Sequence, residues 1–97
     1  MIKRTLYWNN GNIKSEFVYI EGNLHGKRLT YYYNGELKCI EIYVDGKKHG
    51  KQTRYWSDGE NWYNYMINGK DVSEEEWILY SRLEKLKKIT VTLNGNI

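Results

Sequence analysis

Apolar and polar residues alternate in short runs along this chain. Examples are Arg-Thr-Leu-Tyr-Trp at 4–8, Lys-Ser-Glu-Phe-Val-Tyr-Ile at 14–20 and Lys-Cys-Ile-Glu-Ile-Tyr-Val at 38–44. A period of two, carried by aromatic and β-branched residues, predicts half-buried strands. The runs are joined by Asn10-Gly11, Asn34-Gly35 and Asp58-Gly59. Such dipeptides supply the positive φ values of a tight two-residue hairpin. The second strand of each pair ends at Glu21-Gly22 or Asp45-Gly46, and a longer loop ending in His-Gly leads onward. Hairpin after hairpin predicts a mostly β protein, a single-layer antiparallel meander.

The hairpins repeat. Units 3–26, 27–50 and 51–72 align at a period of 24, and the third, carried through Ser73, is one residue shorter. The first two agree without gaps at Lys3/Lys27, Arg4/Arg28, Tyr7/Tyr31, Gly11/Gly35, Tyr19/Tyr43 and His25/His49, among other positions. The third keeps Lys51, Tyr55, Gly59 and Gly69 and replaces the His-Gly pair by Val72-Ser73. A catalytic group is needed once, whereas a structural group in a repeated array is needed once per unit. His25 and His49 therefore read as turn or packing residues.

The stretch Tyr43-Val44-Asp45-Gly46-Lys47-Lys48-His49-Gly50, followed by Tyr55-Trp56-Ser57-Asp58-Gly59, resembles the MORN repeat, especially its bacterial and viral variants. The resemblance covers about residues 3–72 and is strongest in the middle unit. It implies an elongated array of antiparallel hairpins that works by protein–protein assembly. Some bacterial proteins with variant repeats are annotated antitoxins, which implies neutralisation of a protein partner. The family has no common catalytic residues to carry over.

After the repeats the pattern changes. Ser73 followed by Glu76 has the form of a capping box, and Glu74, Glu75 and Glu76 suit the positive end of a helix dipole. Ile78, Leu79, Leu83, Leu86 and Ile89 fall in one arc, and Lys85, Lys87 and Lys88 follow near the expected C-terminus. A helix over about 74–88 is predicted, covering the open end of the array. The tail, Ile-Thr-Val-Thr-Leu-Asn-Gly-Asn-Ile at 89–97, is β-prone and resembles the start of the first unit. The whole, residues 1–97, reads as one domain.

Strand alternation sorts the side chains into two faces. With a two-residue loop, Trp8 opposes Ile13 and Tyr7 opposes Lys14. One face then carries Tyr7, Val18, Ile20, Leu29, Tyr31, Ile40, Ile42, Val44, Tyr55, Tyr65 and Ile67, and is apolar enough to be buried. The other carries Arg4, Trp8, Phe17, Tyr19, Arg28, Tyr32, Glu41, Tyr43, Arg54 and Trp56. Large aromatics and Arg anchor protein interfaces, although aromatic ladders also stabilise sheets. Trp8, Tyr19, Arg28, Tyr32, Tyr43, Arg54 and Trp56 are the candidate partner-binding residues.

Composition adds four Trp, ten Tyr, nine Gly and no Pro, with a net charge of +3. This charge is mild for a nucleic-acid binder. The glycines fall singly at turns, so none forms a phosphate-cradling loop, and no Cys/His cluster has zinc spacing. Cys39, the only cysteine, reads as a small packed side chain. No catalytic residue, metal or cofactor is expected. The start, Met-Ile-Lys-Arg, lacks a signal-peptide pattern, so a cytoplasmic location is expected. The leading expectation is a non-enzymatic protein-binding module: an antitoxin, an immunity protein or a virus-encoded inhibitor. A homodimer through a sheet edge or the C-terminal helix is compatible with it. Binding to anionic membrane lipids through Lys47, Lys48 and Lys51, or to single-stranded nucleic acid, is the alternative.

Overall fold

The computed structural model describes the backbone of residues 1–95 and the side chains of residues 1–88. Nine strands, β1 (Ile2–Tyr7), β2 (Ile13–Ile20), β3 (Asn23–Leu24), β4 (Gly26–Tyr31), β5 (Leu37–Val44), β6 (Lys47–Lys48), β7 (Gly50–Tyr55), β8 (Asn61–Ile67) and β9 (Lys70–Val72), precede one helix, α1 (Glu74–Gly95). They form one antiparallel sheet in the order β1-β2-β4-β5-β7-β8-β9, with β3 on β2 and β6 on β5. The molecule measures 57 × 31 × 19 Å. Among the described residues no helix is long and apolar enough to cross a membrane.

Both turn types differ from the sequence expectation. At the Asn-Gly turns the Trp8 N–H donates to the Asn12 carbonyl at 2.7 Å and the Gly11 N–H to the Trp8 carbonyl at 3.0 Å. The loop therefore holds three residues, with Gly11 at φ 90° and Asn10 outside the positive-φ region. The Asn10 side chain accepts the Asn12 N–H at 2.9 Å, which fixes the loop without a left-handed asparagine. Tyr32 and Trp56 head loops with the same backbone bonds. The two-residue, doubly left-handed turns lie at the other end: Glu21-Gly22, Asp45-Gly46 and Asn68-Gly69, with φ of 51° and 83°, 50° and 82°, and 49° and 84°.

The longer loop shifts the register. Tyr7 pairs with Ile13 and Leu6 with Ser15, so Lys14 is a bulge instead of the partner of Tyr7. Lys38 is the matching bulge, since Tyr31 pairs with Leu37 and Thr30 with Cys39. In the third hairpin Tyr55 pairs with Asn61 and Arg54 with Trp62, with no bulge. The residue that the third unit lacks is thus its bulge residue. Below the bulge, Arg4 opposes Phe17 and Lys3 opposes Val18, so these pairs lie on opposite faces.

The apolar face is not a buried core. No described hydrophobic side chain is buried, and Ile20 and Val44 stay 38% and 39% exposed. A single layer leaves both faces to solvent except where α1 lies across one of them. The described side chains that are buried belong to Ser15 and Gln52, at sheet junctions.

The helix begins as its sequence predicts. The Glu76 N–H donates to Ser73 Oγ at 3.1 Å, and the Trp77 N–H donates to the Ser73 carbonyl at 3.0 Å. It ends later than predicted: it runs through Gly95, so residues 89–95 of the β-prone tail are helical, and Asn96 and Ile97 of that tail lie outside the described residues. Each added residue gains a backbone bond, which outweighs the modest helix penalty of β-branched residues, and no Pro interrupts before Gly95. Lys85, Lys87 and Lys88 consequently sit within the helix, away from its last turn.

Docking also differs. The Ile/Leu arc points largely to solvent, with Ile78, Leu79, Leu83 and Leu86 42–59% exposed. Contact runs instead through Trp77, stacked on Tyr65 with centroids 6.3 Å apart, and through Tyr80, edge-on to His49 at 5.4 Å. Trp77 also meets His49 edge-on at 5.4 Å. His49 Nδ1 accepts the Asn68 N–H at 3.2 Å, so this histidine joins the last turn to the helix seat. Trp77→Ala is expected to lower the free energy of unfolding by about 2 kcal/mol, less than for a fully buried Trp. Urea unfolding followed by helical circular dichroism checks this; an unchanged midpoint would contradict the seat.

Candidate functional site

Each Asn-Gly or Asp-Gly loop is preceded by a large aromatic: Trp8, Tyr32 or Trp56. The first two are tied to the next hairpin. Trp8 Nε1 donates to the Tyr31 carbonyl at 3.3 Å, and the Tyr32 hydroxyl to the Tyr55 carbonyl at 2.6 Å. Each also carries the bulge lysine of its own hairpin, Lys14 at 4.7 Å from the Trp8 ring and Lys38 at 5.6 Å from the Tyr32 ring. Trp56 has neither. Its hairpin has no bulge residue, and among the described residues no further hairpin offers a carbonyl. It is 50% exposed, next to Trp62 at 57%.

These indoles stand over a groove of about 510 Å³ whose floor includes Cys39, Gln52, Asn64 and Met66. Glu41 and Lys48 form an ion pair at 2.9 Å on one wall. The bond to Glu41 raises the Lys48 pKa, so the ammonium stays charged at neutral pH. Asn64 Nδ2 donates to Asp71 Oδ1 on the other side. Arg54 pairs with Cys39 across one ladder and with Trp62 across the next, which brings its guanidinium to the groove. Burial, and then Glu41, push the Cys39 thiol up, and the nearby Arg54 and Lys48 do not reverse it. That direction is opposite to the activation of a nucleophilic cysteine. No described group of three or more His, Cys, Asp or Glu side chains is placed to hold a metal. Exposed indoles, a guanidinium and amides can stack, bury and hydrogen-bond a peptide surface.

The floor depends on Gln52, which sequence reasoning overlooked. Its Oε1 accepts the Ile42 N–H at 2.8 Å, and its Nε2 donates to the Ile42 carbonyl at 3.1 Å and the Gly50 carbonyl at 3.2 Å. β5 and β7 pair only at Cys39–Arg54 and Ile40–Thr53 before they part. The Gln52 amide continues the pairing where the backbone no longer can. At the preceding junction Arg28 holds the matching position. Its guanidinium lies 5.5 Å from the Phe17 ring, and its buried Nε has no hydrogen-bond partner.

The other candidates from the sequence are spread along the sheet. Tyr19 packs edge-on against Phe17 at 5.5 Å. The Tyr43 hydroxyl donates to Glu41 at 3.4 Å. Of the seven candidates, Arg54 and Trp56 meet in the groove, together with Cys39, Glu41, Lys48, Gln52, Trp62, Asn64, Met66 and Asp71. The signal that could have singled out Trp56 and Trp62 was the missing residue of the third unit. No family model, curated protein or solved structure matches the chain.

Gln52→Leu should destabilise the sheet by about 1–3 kcal/mol, because it leaves the half-buried Ile42 N–H without its partner. Thermal unfolding of the variant tests this, and a melting temperature equal to that of the parent would remove Gln52 from the account.

Proposed function

We propose that the chain is a non-enzymatic protein-binding module of the antitoxin, immunity-protein or inhibitor type, and that it engages its partner through the groove beneath Trp56 and Trp62. The observation that carries this reading is the difference between the tip aromatics: two are consumed by cross-hairpin bonds and lysine contacts, and Trp56 is left open beside Trp62. Two half-exposed indoles next to a guanidinium, with polar groups at the rim, have the composition of an interface anchor. The resemblance of residues 3–72 to MORN repeats supports the same class. The raised Cys39 pKa agrees with binding better than with covalent chemistry. Tyr19, Arg28 and Tyr43 belong to the same face and extend the contact beyond the groove; Trp8 and Tyr32 serve mainly to hold hairpins together.

The test begins with capture of a partner on the tagged chain, followed by calorimetric titration of the purified pair. Trp56→Ala and Trp62→Ala should each weaken binding by about 2 kcal/mol or more, on the order of 30-fold, with an unchanged unfolding midpoint. A partner that binds the folded double variant as tightly as the parent would place the interface elsewhere.

A further inference from the structure

The array stops at β8 with an unfilled strand position. At each interior junction, two residues of one hairpin pair with two of the next: Ser15 with Thr30 and Glu16 with Leu29, then Cys39 with Arg54 and Ile40 with Thr53. Within the hairpins, Ser15, Cys39 and Trp62 face the equivalent residues Leu6, Thr30 and Arg54. Trp62 and Tyr63 are therefore the β8 residues that would receive a next strand. On that side β9 pairs only with Tyr65, Met66 and Ile67, and no described strand reaches Trp62 or Tyr63. Such an edge is a template for another strand.

The opposite end presents the matching piece. Among the described residues β1 pairs with β2 alone, and none of them covers its outer side. Thr5 and Leu6 hold the positions that Leu29 and Thr30 hold in β4, and Thr53 and Arg54 in β7. Leu6 and Tyr7 are 46% and 62% exposed. We infer that β1 of a second copy of this chain docks on the free edge of β8, pairing Leu6 with Trp62 and Thr5 with Tyr63.

Two further observations favour this occupant. Trp8 and Tyr32 donate to the carbonyls of Tyr31 and Tyr55. The residue one unit earlier in that series is Tyr7, whose carbonyl in the second copy meets the unused Nε1 of Trp56. Charge also matches. Lys3 and Arg4, just before the paired residues, approach Asp71 and the acidic first turn of α1, Glu74 to Glu76, all of them exposed. The contact is head-to-tail, so it extends into longer assemblies unless its rotation closes a ring. It goes beyond the partner-binding reading and is tested on the purified chain alone, so the two can fail separately.

Sedimentation velocity over a wide protein concentration range provides the test. The parent chain should grow in mass past a dimer. Leu6→Glu blocks one end and Trp62→Glu the other, both at exposed positions where folding tolerates a charge. Each variant alone should associate at least about 30-fold more weakly, because the contact would bury an unpaired carboxylate. An equimolar mixture retains one intact β8 edge and one intact β1, and should form a dimer that grows no further. A parent that stays monomeric throughout, a parent that stops at a dimer, or a mixture that fails to pair would each overturn the inference. The first outcome would leave the β8 edge to a strand from another protein.

Discussion

The bond from a hairpin-tip aromatic to a backbone carbonyl of the next hairpin is the contact on which this molecule depends most. A chain with no buried hydrophobic side chain among its described residues cannot rely on a central core. Its stability has to come from nearest-neighbour seams, as in other quasi-one-dimensional folds. One seam runs along the tips, where Trp8 reaches Tyr31 and Tyr32 reaches Tyr55. The other runs along the tight turns, where the Gly46 N–H donates to the Leu24 carbonyl and the Gly69 N–H to the Lys48 carbonyl, each at 2.9 Å. Between the seams the hairpins share only two paired residues at each junction, supplemented at one of them by the Gln52 amide.

The candidate site follows from where the seams run out. The tight-turn seam ends at Gly69, and the chain then turns into α1 on the apolar face. The tip seam ends at Trp56, which lines the groove and has no further hairpin to reach among the described residues. Loss of the bulge residue removes the lysine that would sit on this ring, while Trp62 opposes Arg54 as Cys39 opposes Thr30 one hairpin earlier. The aromatic that would be structural in an interior unit thus becomes an open surface at the terminal one. We read this surface as the contact for a protein partner and the β8 edge as the contact for a second copy; both use Trp56 and Trp62, so the two occupants compete for this end of the array.

Much of the architecture was legible in the sequence because strand periodicity and a capping box are local signals. The alternation of Phe17 with Val18 sorted the faces, and Ser73 with Glu76 marked the helix start. What failed was the detail that depends on one residue. Asn10-Gly11 satisfies both a two-residue and a three-residue loop, and the choice moves Lys14 from a paired position to a bulge. Glu21-Gly22 did not read as a doubly left-handed turn because glutamate is a poor residue for φ near 51°. The Ile/Leu arc of α1 pointed to the wrong docking face, since Trp77 and Tyr80 provide the aromatic stacking that the helix uses. Gln52 was illegible because its importance arises only where two strands part. In residues 89–95 the β-prone character of the tail lost to the continuation of a helix already nucleated at Ser73.

The most direct measurement compares the free energies of unfolding, in urea, of Tyr32→Phe and Trp56→Phe. The two substitutions remove a hydroxyl from a tip that reaches its neighbour and an indole from a tip that does not. If the tip seam holds the array, Tyr32→Phe loses about 1–1.5 kcal/mol and Trp56→Phe changes stability by less than about 0.5 kcal/mol. Equal losses, or a stable Tyr32→Phe chain, would contradict the account.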